Sequence, residues 1–391
     1  MVRARTSYVL KPGALQKRTL DRSAHLTELR TRNEAHRVSF RLRRTEDRRT
    51  NMPRTTRRGF LNVMAMAGIG GQTLLRSGSI KAAVEDAKGS TDAWPRMDYR
   101  RLGRTGFNGS RLVFGCGAAL SSGQSKDLLA PAADAGVNVF DVGYSDYYGE
   151  AEHHLGVFLK GRRDKAFLIS KATPQVEMDA DEVLSAEKRR DAAANWSSWL
   201  DRSLKGLGVE QVDAYYIMAA KNVSLIESDE MYQAFETARD AGKVKYLGLS
   251  THENAQNVLL AAAKSGRFDL AQIAITPGGW YDWETRALLD GTPPLIQLQP
   301  VLAAAHEAGM GLIGMKAGRY LAGRRFLGWG NPDAYDGYYD PQLLSAKLTA
   351  FQRSYAYVLA HGLDAVNADS QTWQHLKENF AAAAMSKSYF T

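Results

Sequence analysis

Three polar side chains, Asp141, Lys171 and Tyr148, form a combination that can move a proton. Asp141 ends the apolar run Val137–Asp141, Lys171 ends the run Phe167–Lys171, and Tyr148 follows the first run shortly afterwards. A tyrosine hydroxyl has a pKa of about 10 and donates a proton poorly at neutral pH unless a neighbouring cation lowers that value. Lys171 is such a cation, and Asp141 could keep it charged and in place. The trio predicts a general acid that protonates a carbonyl oxygen as a hydride reaches the carbon.

Two other interpretations of the charged residues are open. Asp141 and Lys171 could be an ion pair at a strand end with only a structural role. Asp141 and Glu152 could instead be the paired carboxylates of a barrel glycosidase, which flank a scissile glycosidic bond. The sequence shows no pair of acids at strand ends, and this disfavours the glycosidase.

The elements that must position these side chains alternate between apolar strands and amphipathic helices. The predicted strands are Leu112–Gly115, Val137–Asp141, Phe167–Lys171, Val212–Met218, Tyr246–Ser250, Ala271–Ile275, Gly311–Lys316 and Leu363–Val366. The predicted helices are Lys126–Ala135, Glu150–Leu159, Arg189–Leu207, Ser228–Ala241, Ala255–Ser265, Gln299–Ala308, Leu343–Ala360 and Thr372–Ala384. Eight strands alternating with eight helices predict an α/β fold, a closed (β/α)8 TIM barrel in which polar residues at strand ends meet at one mouth.

Around the barrel the sequence predicts a hairpin and two aromatic loops. Turn residues between short extended pieces predict an N-terminal hairpin over 100–110. A doubly wound open sheet is the alternative fold, but Gly115-Cys-Gly117 lacks the third glycine of a dinucleotide fingerprint. The loops 276–298 and 317–342 could line a substrate or simply pack. Their aromatic residues are Trp280, Tyr281, Trp283, Trp329, Tyr335, Tyr338 and Tyr339.

The positive charge of the chain is concentrated at its N-terminus. Residues 1–58 contain 17 Lys and Arg against 5 Asp and Glu, a net charge of +12, whereas the whole chain of 391 residues carries +9. From Met52 the sequence MPRTTRRGFLNVMAMAGIGG has twin arginines at Arg57-Arg58 and a mild apolar run, which resembles a twin-arginine export signal. A nucleic-acid-binding arm is the weaker alternative. We therefore expect a basic leader over 1–51 that is not translated because the protein starts at Met52, a signal and linker over 52–95, and a barrel over 96–391.

Other composition features exclude several classes of site. Cys116 is the single cysteine, so no intrachain disulfide is possible, and its apolar surroundings indicate an inert thiol. No stretch approaches the roughly 20 apolar residues of a membrane helix. The histidines, including His252, His306 and His375, show no metal-ligand spacing, so no metal site is expected.

The order and spacing of several short motifs resemble the aldo-keto reductase superfamily over residues 97–385. The matching stretches are Leu102-Gly-Arg-Thr-Gly106, Gly136-Val-Asn-Val-Phe-Asp141, Tyr148-Gly-Glu-Ala-Glu152, Lys171, Gly242-Lys-Val-Lys-Tyr-Leu-Gly-Leu-Ser250, Gln272-Ile-Ala-Ile-Thr-Pro277 and Leu376-Lys-Glu-Asn379. Each motif alone is weak, and the set is fairly specific. The resemblance implies a reductase that takes its hydride from NADP or NAD, with the barrel supplying orientation and a proton.

The resemblance also implies roles for individual residues. Tyr148 would be the proton donor, with Lys171 and Asp141 tuning it. Ser250 and Gln272 would hold the nicotinamide carboxamide. Met315 and Lys316, at the end of the seventh strand, would also contact the cofactor. Ser370, Glu378 and Asn379 would contact its adenosine side.

The chain departs from the family pattern at three places. Two extra residues between Asp141 and Tyr148 leave Tyr144 or Tyr147 as alternative donors. Met218 stands in the catalytic set where the family has a histidine, and methionine cannot donate a hydrogen bond to a carbonyl. Asp369 stands where the family often has a glycine or a cation beside the cofactor phosphates, and a carboxylate there should repel a 2′-phosphate or the pyrophosphate unless it hydrogen-bonds a ribose hydroxyl.

The expected function is therefore an NAD(P)H-dependent oxidoreductase that reduces an aldehyde, ketone or sugar-like carbonyl, or runs the reverse oxidation. The alternative is a degenerate barrel that binds ligand or cofactor without turnover, because Met218 and Asp369 depart from the pattern. The expected partners are a small carbonyl substrate and the twin-arginine export machinery, with no nucleic acid. We expect a periplasmic location, or a cytoplasmic one if the signal is not used.

Overall fold

A closed parallel barrel forms the body of the protein. The computed structural model describes residue 91, residues 94–322 and residues 330–385. The predicted leader, the twin-arginine motif and Trp329 lie outside the described residues. The strands are β1 Tyr99–Arg101, β2 Asn108–Ser110, β3 Leu112–Gly115, β4 Val139–Asp141, β5 Phe167–Ala172, β6 Val212–Ile217, β7 Val244–Thr251, β8 Leu270–Thr276, β9 Gly279–Asp282, β10 Ala287–Leu288, β11 Gly311–Met315 and β12 Ala365–Asp369.

Strands β3 to β8, β11 and β12 pair in parallel and close on themselves, since β7 pairs with β8 and β12 pairs with β3. This arrangement confirms the predicted (β/α)8 barrel. Strands β1 and β2 form the antiparallel N-terminal hairpin. The helices are Gly117–Leu120, Leu129–Asp134, Ser145–Tyr148, Ala151–Leu159, Ala186–Leu207, Val223–Ile226, Asp229–Asp240, Ala255–Ser265, Gln299–Glu307, Pro341–Ser345, Ala350–Ala360 and Trp373–Met385.

The prediction of one continuous helix over Leu343–Ala360 is wrong. The chain forms a short helix over Pro341–Ser345, turns, and starts a second helix at Ala350. Thr349 causes the restart, because its side chain accepts a hydrogen bond from the Gln352 amide while the Gln352 side chain bonds back to Thr349, which is a complete capping box. Uniform apolar periodicity across the break concealed it.

The last barrel strand runs over Ala365–Asp369 instead of the predicted Leu363–Val366. Asn367 and Asp369 are poor strand formers, so the sequence places them in a loop. In the structure their backbones pair with Val113 and Gly115 of β3. Because of this shift Asn367 is part of the barrel wall, where its side chain reaches Asp141 and Gln272.

The barrel interior below the mouth is apolar, and the hairpin seals its lower end. The layer consists of the buried residues Leu102, Val113, Val139, Phe167, Ile169, Ala214, Tyr216, Leu270, Ile313 and Ala365. Leu102, from the turn between β1 and β2, is fully buried in it, and Phe107 packs against it. Arg104 ties this turn to the barrel by an ion pair with Asp269 at 3.0 Å. The polar side chains nearer the mouth therefore lie above a buried, mostly apolar layer.

Arg111 follows the hairpin and joins it to the end of the helix Ala350–Ala360 and the turn before β12, and its loss should destabilise the fold. The buried guanidinium donates to the main-chain carbonyls of Leu359, Leu363 and Asp364 at 2.5, 2.8 and 3.2 Å. Arg111→Met leaves these buried acceptors unpaired, so we expect a loss of about 2–4 kcal/mol in the free energy of unfolding. Urea denaturation would measure it. Arg101→Met, at an exposed neighbouring position, is the control, expected within about 0.5 kcal/mol of wild type. Equal midpoints for the two variants would contradict the assignment.

Within the described ranges, none of the helices is long and apolar enough to cross a membrane.

Candidate active site

Asp141 and Lys171 meet at the ends of neighbouring strands β4 and β5. The Lys171 ammonium lies 2.7 Å from Asp141 Oδ1 and 2.5 Å from Oδ2, and it also donates to the carbonyl of Val142 at 2.7 Å. Both side chains are almost completely buried, with 3% and 4% of their surface exposed. A buried pair of this kind is held only by close geometry and added hydrogen bonds, and this pair has both.

Tyr148 lies beside this ion pair because the chain after β4 turns into the short helix Ser145–Tyr148. The Lys171 ammonium is 5.9 Å from the centre of the Tyr148 ring. Gly117 and Gly143 give the ring its space, since a Cβ on Gly143 would come within 2.8 Å of it and a Cβ on Gly117 within 2.5 Å. Two glycine positions thus leave room for the ring beside the backbone.

The two alternative tyrosines lie elsewhere. The Tyr144 hydroxyl is 2.9 Å from the Thr173 hydroxyl, and its ring packs edge-on against Trp199 in the core. Tyr147 is 55% exposed and packs edge-on against Tyr148. Of the three rings, Tyr148 is the one in contact with Lys171.

The electrostatic environment of Tyr148 differs from the expected one. The sequence predicts a lowered tyrosine pKa, but burial and the nearby Asp141 carboxylate raise the pKa of Tyr148 well above its ordinary value. Asp141 partly offsets the positive charge of Lys171, whose ammonium lies 5.9 Å from the centre of the ring, so burial dominates the shift. Tyr148 therefore holds its proton throughout the neutral pH range.

Met218 follows β6 and is buried among core side chains. Its amide donates to the carbonyl of Ala172 at 2.9 Å, which continues the pairing of β5 and β6. Below it, the Tyr216 hydroxyl is buried with no hydrogen-bond partner among the described residues. Met218 thus adds a thioether, and no hydrogen-bond donor, to this part of the site.

The predicted carboxamide ligands are brought together on adjacent strands. Ser250 on β7 is paired in register with Gln272 on β8, and both are 2% exposed. Gln272 Nε2 lies 3.6 Å from the sulfur of Met315 at the end of β11. Asn367, which sequence reasoning missed, bridges Gln272 and Asp141 from β12. The predicted end of the last strand at Val366 hid this residue; its alternation with Ala365 was the available signal.

Lys316 occupies a left-handed backbone conformation, with φ 67°, that directs it over the Trp283 ring at 4.3 Å. The imidazole of His252 lies on the same ring at 5.6 Å, and its Nε2 is buried without a hydrogen-bond partner among the described residues. Burial and the positive charge of Lys171 lower the pKa of Lys316 to about 8. Burial and the same two lysines lower the pKa of His252 to about 3, so His252 is neutral. The region around Lys316, Trp283 and His252 therefore carries excess positive charge.

On the predicted adenosine side, Asn379 donates to the Ser370 hydroxyl at 3.1 Å, and both residues are buried. Glu378 is half-buried and accepts from Gln374 at 2.8 Å. Asp369 ends β12 and accepts from Gln371 at 2.9 Å. Ser370 and Asn379 therefore meet, whereas the Glu378 side chain is engaged with its own helix.

The aromatic loops mostly pack. Residues Gly279–Asp282 and Ala287–Leu288, predicted as loop, form an antiparallel pair that extends from β8. Among the described aromatic residues of the two loops, Trp280, Tyr281, Tyr335 and Tyr339 are buried, whereas Trp283 and Tyr338 are partly exposed. Two of these residues contact predicted site residues: Trp283 lies under Lys316, and Tyr281 packs with Met315.

Glu152 lies on the outer side of the barrel wall. It accepts a hydrogen bond from Ser170 at 2.8 Å, and burial raises the pKa of its carboxyl group. Because side chains alternate along a strand, Ser170 faces the helices while its neighbour Lys171 faces the interior. Asp141 and Glu152 therefore do not flank one cleft, which speaks against the glycosidase.

A surface depression of about 860 Å³ lies away from these residues. Its lining includes the ion pair between Arg189 and Glu230 at 2.9 Å, and none of the predicted site residues borders it. Within the described ranges, no group of three or more His, Cys, Asp or Glu side chains could hold a metal ion.

Sequence comparison places this chain beside known oxidoreductases. Residues 106–278 match the Aldo/keto reductase family model, which is less than half of the chain. "Aldo-keto reductase yakc [NADP(+)]" of Schizosaccharomyces pombe is 30% identical over 152 residues, which cover 38% of this chain and 42% of that protein. "Uncharacterized oxidoreductase YrpG" of Bacillus subtilis is 27% identical over 245 residues, covering 58% and 69%. The alignments thus span about half of the length of the relatives.

Solved structures share the fold. A Pseudomonas aeruginosa protein described as an aldo-keto reductase superposes with a TM-score of 0.53 at 22% identity, covering 76% of this chain and all of the other. An aldo-keto reductase from Bacillus halodurans in its holo form gives 0.53 at 21% identity, covering 73% and 90%. The family match supports the aldo-keto reductase superfamily for this barrel, and these solved structures show that it shares their fold.

Proposed function

We propose that the barrel is an NAD(P)H-dependent oxidoreductase that reduces an aldehyde, ketone or sugar-like carbonyl, or oxidises the corresponding alcohol. The observation that carries this proposal is the buried ion pair of Asp141 and Lys171 with the Tyr148 ring beside it. The support from known proteins is the family match over residues 106–278.

In the proposed reaction Tyr148 gives its hydroxyl proton to the carbonyl oxygen as the carbon gains a hydride. The raised pKa keeps this proton on Tyr148 at neutral pH, and an alkoxide oxygen is a far stronger base than a tyrosinate, so the transfer remains favourable. Asp141 keeps Lys171 charged, and the part of the ammonium charge that the carboxylate leaves uncompensated offsets the tyrosinate that remains. Solvent returns the proton in the next step. When bound, the nicotinamide cofactor supplies the hydride.

The chain's own residues fit such a cofactor at both ends of the mouth. Ser250 and Gln272 present side-by-side polar groups that could hold the carboxamide. Lys316 has no ion-pair partner in the described ranges, so it is free for the cofactor phosphates, and Asp369 disfavours an additional 2′-phosphate. Ser370 and Asn379 are candidates for the adenosine end.

The binding half of the proposal can be tested without a substrate. Titrating the purified full chain with NADPH and with NADH, followed by tryptophan fluorescence, should show saturable quenching with at least one of them, because Trp283 lies at Lys316. The preferred cofactor would show the effect of Asp369, and Asp369→Asn should shift the preference toward NADPH. Failure of both cofactors to bind would overturn the proposal.

Cofactor affinity should also weaken as the pH rises above about 8, the pKa of Lys316. An anion favours the charged ammonium, so affinity is complete below this pKa and is lost above it, by up to about tenfold per pH unit. Lys171 and Arg319 lower the pKa of Lys316, whereas Asp369 and Asp141 raise it. His252 is neutral and does not titrate in this range.

Fluorescence titrations between pH 6.5 and 9.5 would measure this dependence. The control is Lys316→Met, which should bind cofactor weakly with little change between pH 7 and 9. An equal pH dependence in wild type and variant would contradict the role of Lys316.

A barrel that binds cofactor without turnover is the second candidate. It is favoured by Met218, which supplies no hydrogen-bond donor where the family has a histidine. Removal of one such donor costs about 100- to 1,000-fold in rate. Carbonyl reduction that is lost in Tyr148→Phe would exclude this candidate.

A further inference from the structure

Asn367 connects the two halves of the proposed site. Its side-chain amide donates to Asp141 Oδ2 at 2.5 Å and to Gln272 Oε1 at 3.0 Å. Asp141 in turn holds Lys171, and Gln272 reaches the sulfur of Met315. A continuous polar chain therefore crosses the barrel from β5 to β11, above the apolar floor.

The chemistry of the partners fixes which way each amide points. Asp141, paired with Lys171, is an ionised carboxylate that can only accept, so Asn367 must present its NH2 group to it. The second hydrogen of that NH2 group is then directed at Gln272, which must answer with its carbonyl oxygen. A reversed Gln272 amide would place two donors against each other.

The orientation of Gln272 is thus imposed from Asp141 through Asn367. Its oxygen is occupied, and its NH2 group is the part left to meet a ligand, with the Met315 sulfur as a weak acceptor at 3.6 Å. Gln272 is 2% exposed and Asn367 is half-buried, so reversing the Gln272 amide would leave a buried polar group without its hydrogen-bond partner, which is costly.

We propose that Asn367 is a positioning residue that locks Gln272 as a hydrogen-bond donor, so that the site recognises the carbonyl oxygen of a nicotinamide carboxamide rather than its NH2 group. The inference rests on the proposed function, since it needs a nicotinamide ligand. It adds to that function a residue that touches neither substrate nor cofactor. This residue determines whether Gln272 hydrogen-bonds to the carbonyl oxygen or to the NH2 group of the carboxamide.

Three probes separate this role from a structural one. They are the preferred dinucleotide, its 3-acetylpyridine analogue, which keeps the carbonyl but replaces the NH2 group by a methyl group, and ADP-ribose, which lacks the ring. In wild type the analogue should bind within about threefold of the natural cofactor, because the locked Gln272 uses only the carbonyl.

Asn367→Leu removes both donors at similar volume and frees the Gln272 amide to rotate. The natural carboxamide can pair with either end of a rotated amide, whereas the analogue can pair with one. We expect natural cofactor binding to weaken by about five- to tenfold, the analogue by a further fivefold or more, and ADP-ribose by less than twofold.

Asn138→Leu is the matched control. Asn138 also bridges with its amide, accepting from the Ser110 amide at 2.7 Å and donating to Asn108 at 3.1 Å, but it joins the hairpin to the lower end of the barrel. It should reduce the melting temperature and leave the ratio of the natural and analogue dissociation constants unchanged.

Asn367→Ser, with a single hydroxyl hydrogen for two acceptors, should give an intermediate ratio and serves if the leucine variant does not fold. If Asn367→Leu or Asn367→Ser still binds cofactor and keeps the wild-type ratio of the natural and analogue dissociation constants, Asn367 does not have the proposed role. The proposed function would be unaffected by that result. No binding of the natural cofactor or its analogue by the wild-type protein would overturn the proposed function and this inference together.

Discussion

Replacing Tyr148 by phenylalanine should lower kcat for carbonyl reduction by about 100- to 10,000-fold, with cofactor affinity within about threefold of wild type. The variant keeps the ring between Gly117 and Gly143 and removes only the hydroxyl. The proton for the carbonyl oxygen then has to come from water. Steady-state rates with a panel of aldehydes and ketones, at saturating cofactor, would measure the effect.

Tyr147→Phe is the control, because Tyr147 packs against Tyr148 and is largely exposed. We expect its kcat to stay within about twofold of wild type. The raised pKa of Tyr148 adds a pH test, since kcat for reduction should not fall from loss of the donor proton between pH 6 and 9. A larger loss in Tyr147→Phe than in Tyr148→Phe would reassign the donor.

Lys171→Met should cost about 3–5 kcal/mol in the free energy of unfolding, in addition to its effect on rate. The substitution leaves the Asp141 carboxylate buried at 3% exposure, with the Asn367 amide but no cation to balance its charge. Chemical denaturation would measure the loss. The exposed pair of Lys243 and Asp201, at 2.6 Å, provides the control, and Lys243→Met should cost no more than about 1 kcal/mol.

The double variant Asp141→Leu with Lys171→Met separates folding from chemistry. Removing both charges should recover most of the stability lost by Lys171→Met, because no uncompensated charge remains. Turnover should stay lost. A double variant that is as unstable as Lys171→Met, or a single variant as stable as wild type, would show that the pair is not the buried, mutually dependent pair that the distances indicate.

The strand ends were predictable because an apolar run that stops at a charged residue indicates where the strand ends. It also indicates that the charged side chain lies at the mouth of the barrel. Asp141 and Lys171 were found in this way, and the closed barrel followed from the alternation of strands and helices. Asn367 was missed for the same reason. Its polar character suggested a loop, and only the pairing of β12 with β3 shows that the strand continues through it.

Burial and long-range contacts could not be predicted in this way. The raised pKa of Tyr148 depends on how completely the ring is enclosed, which no local pattern encodes. The contact between Trp283 and Lys316 joins two loops whose relative placement depends on the packing of β8 and β11. Trp280 and Tyr281 were indistinguishable from Trp283 in sequence, yet they lie in the core.

The seal formed by the hairpin and the apolar layer has a kinetic consequence. Among the described residues, Leu102 and the apolar layer above it separate the lower end of the barrel from Lys171 and Asp141. In the proposed reaction a proton would therefore reach Tyr148 from the mouth, the side on which substrate and cofactor would bind. Tyr148 would then give up one proton per turnover and regain it through the mouth, and would not be part of a proton relay through the barrel.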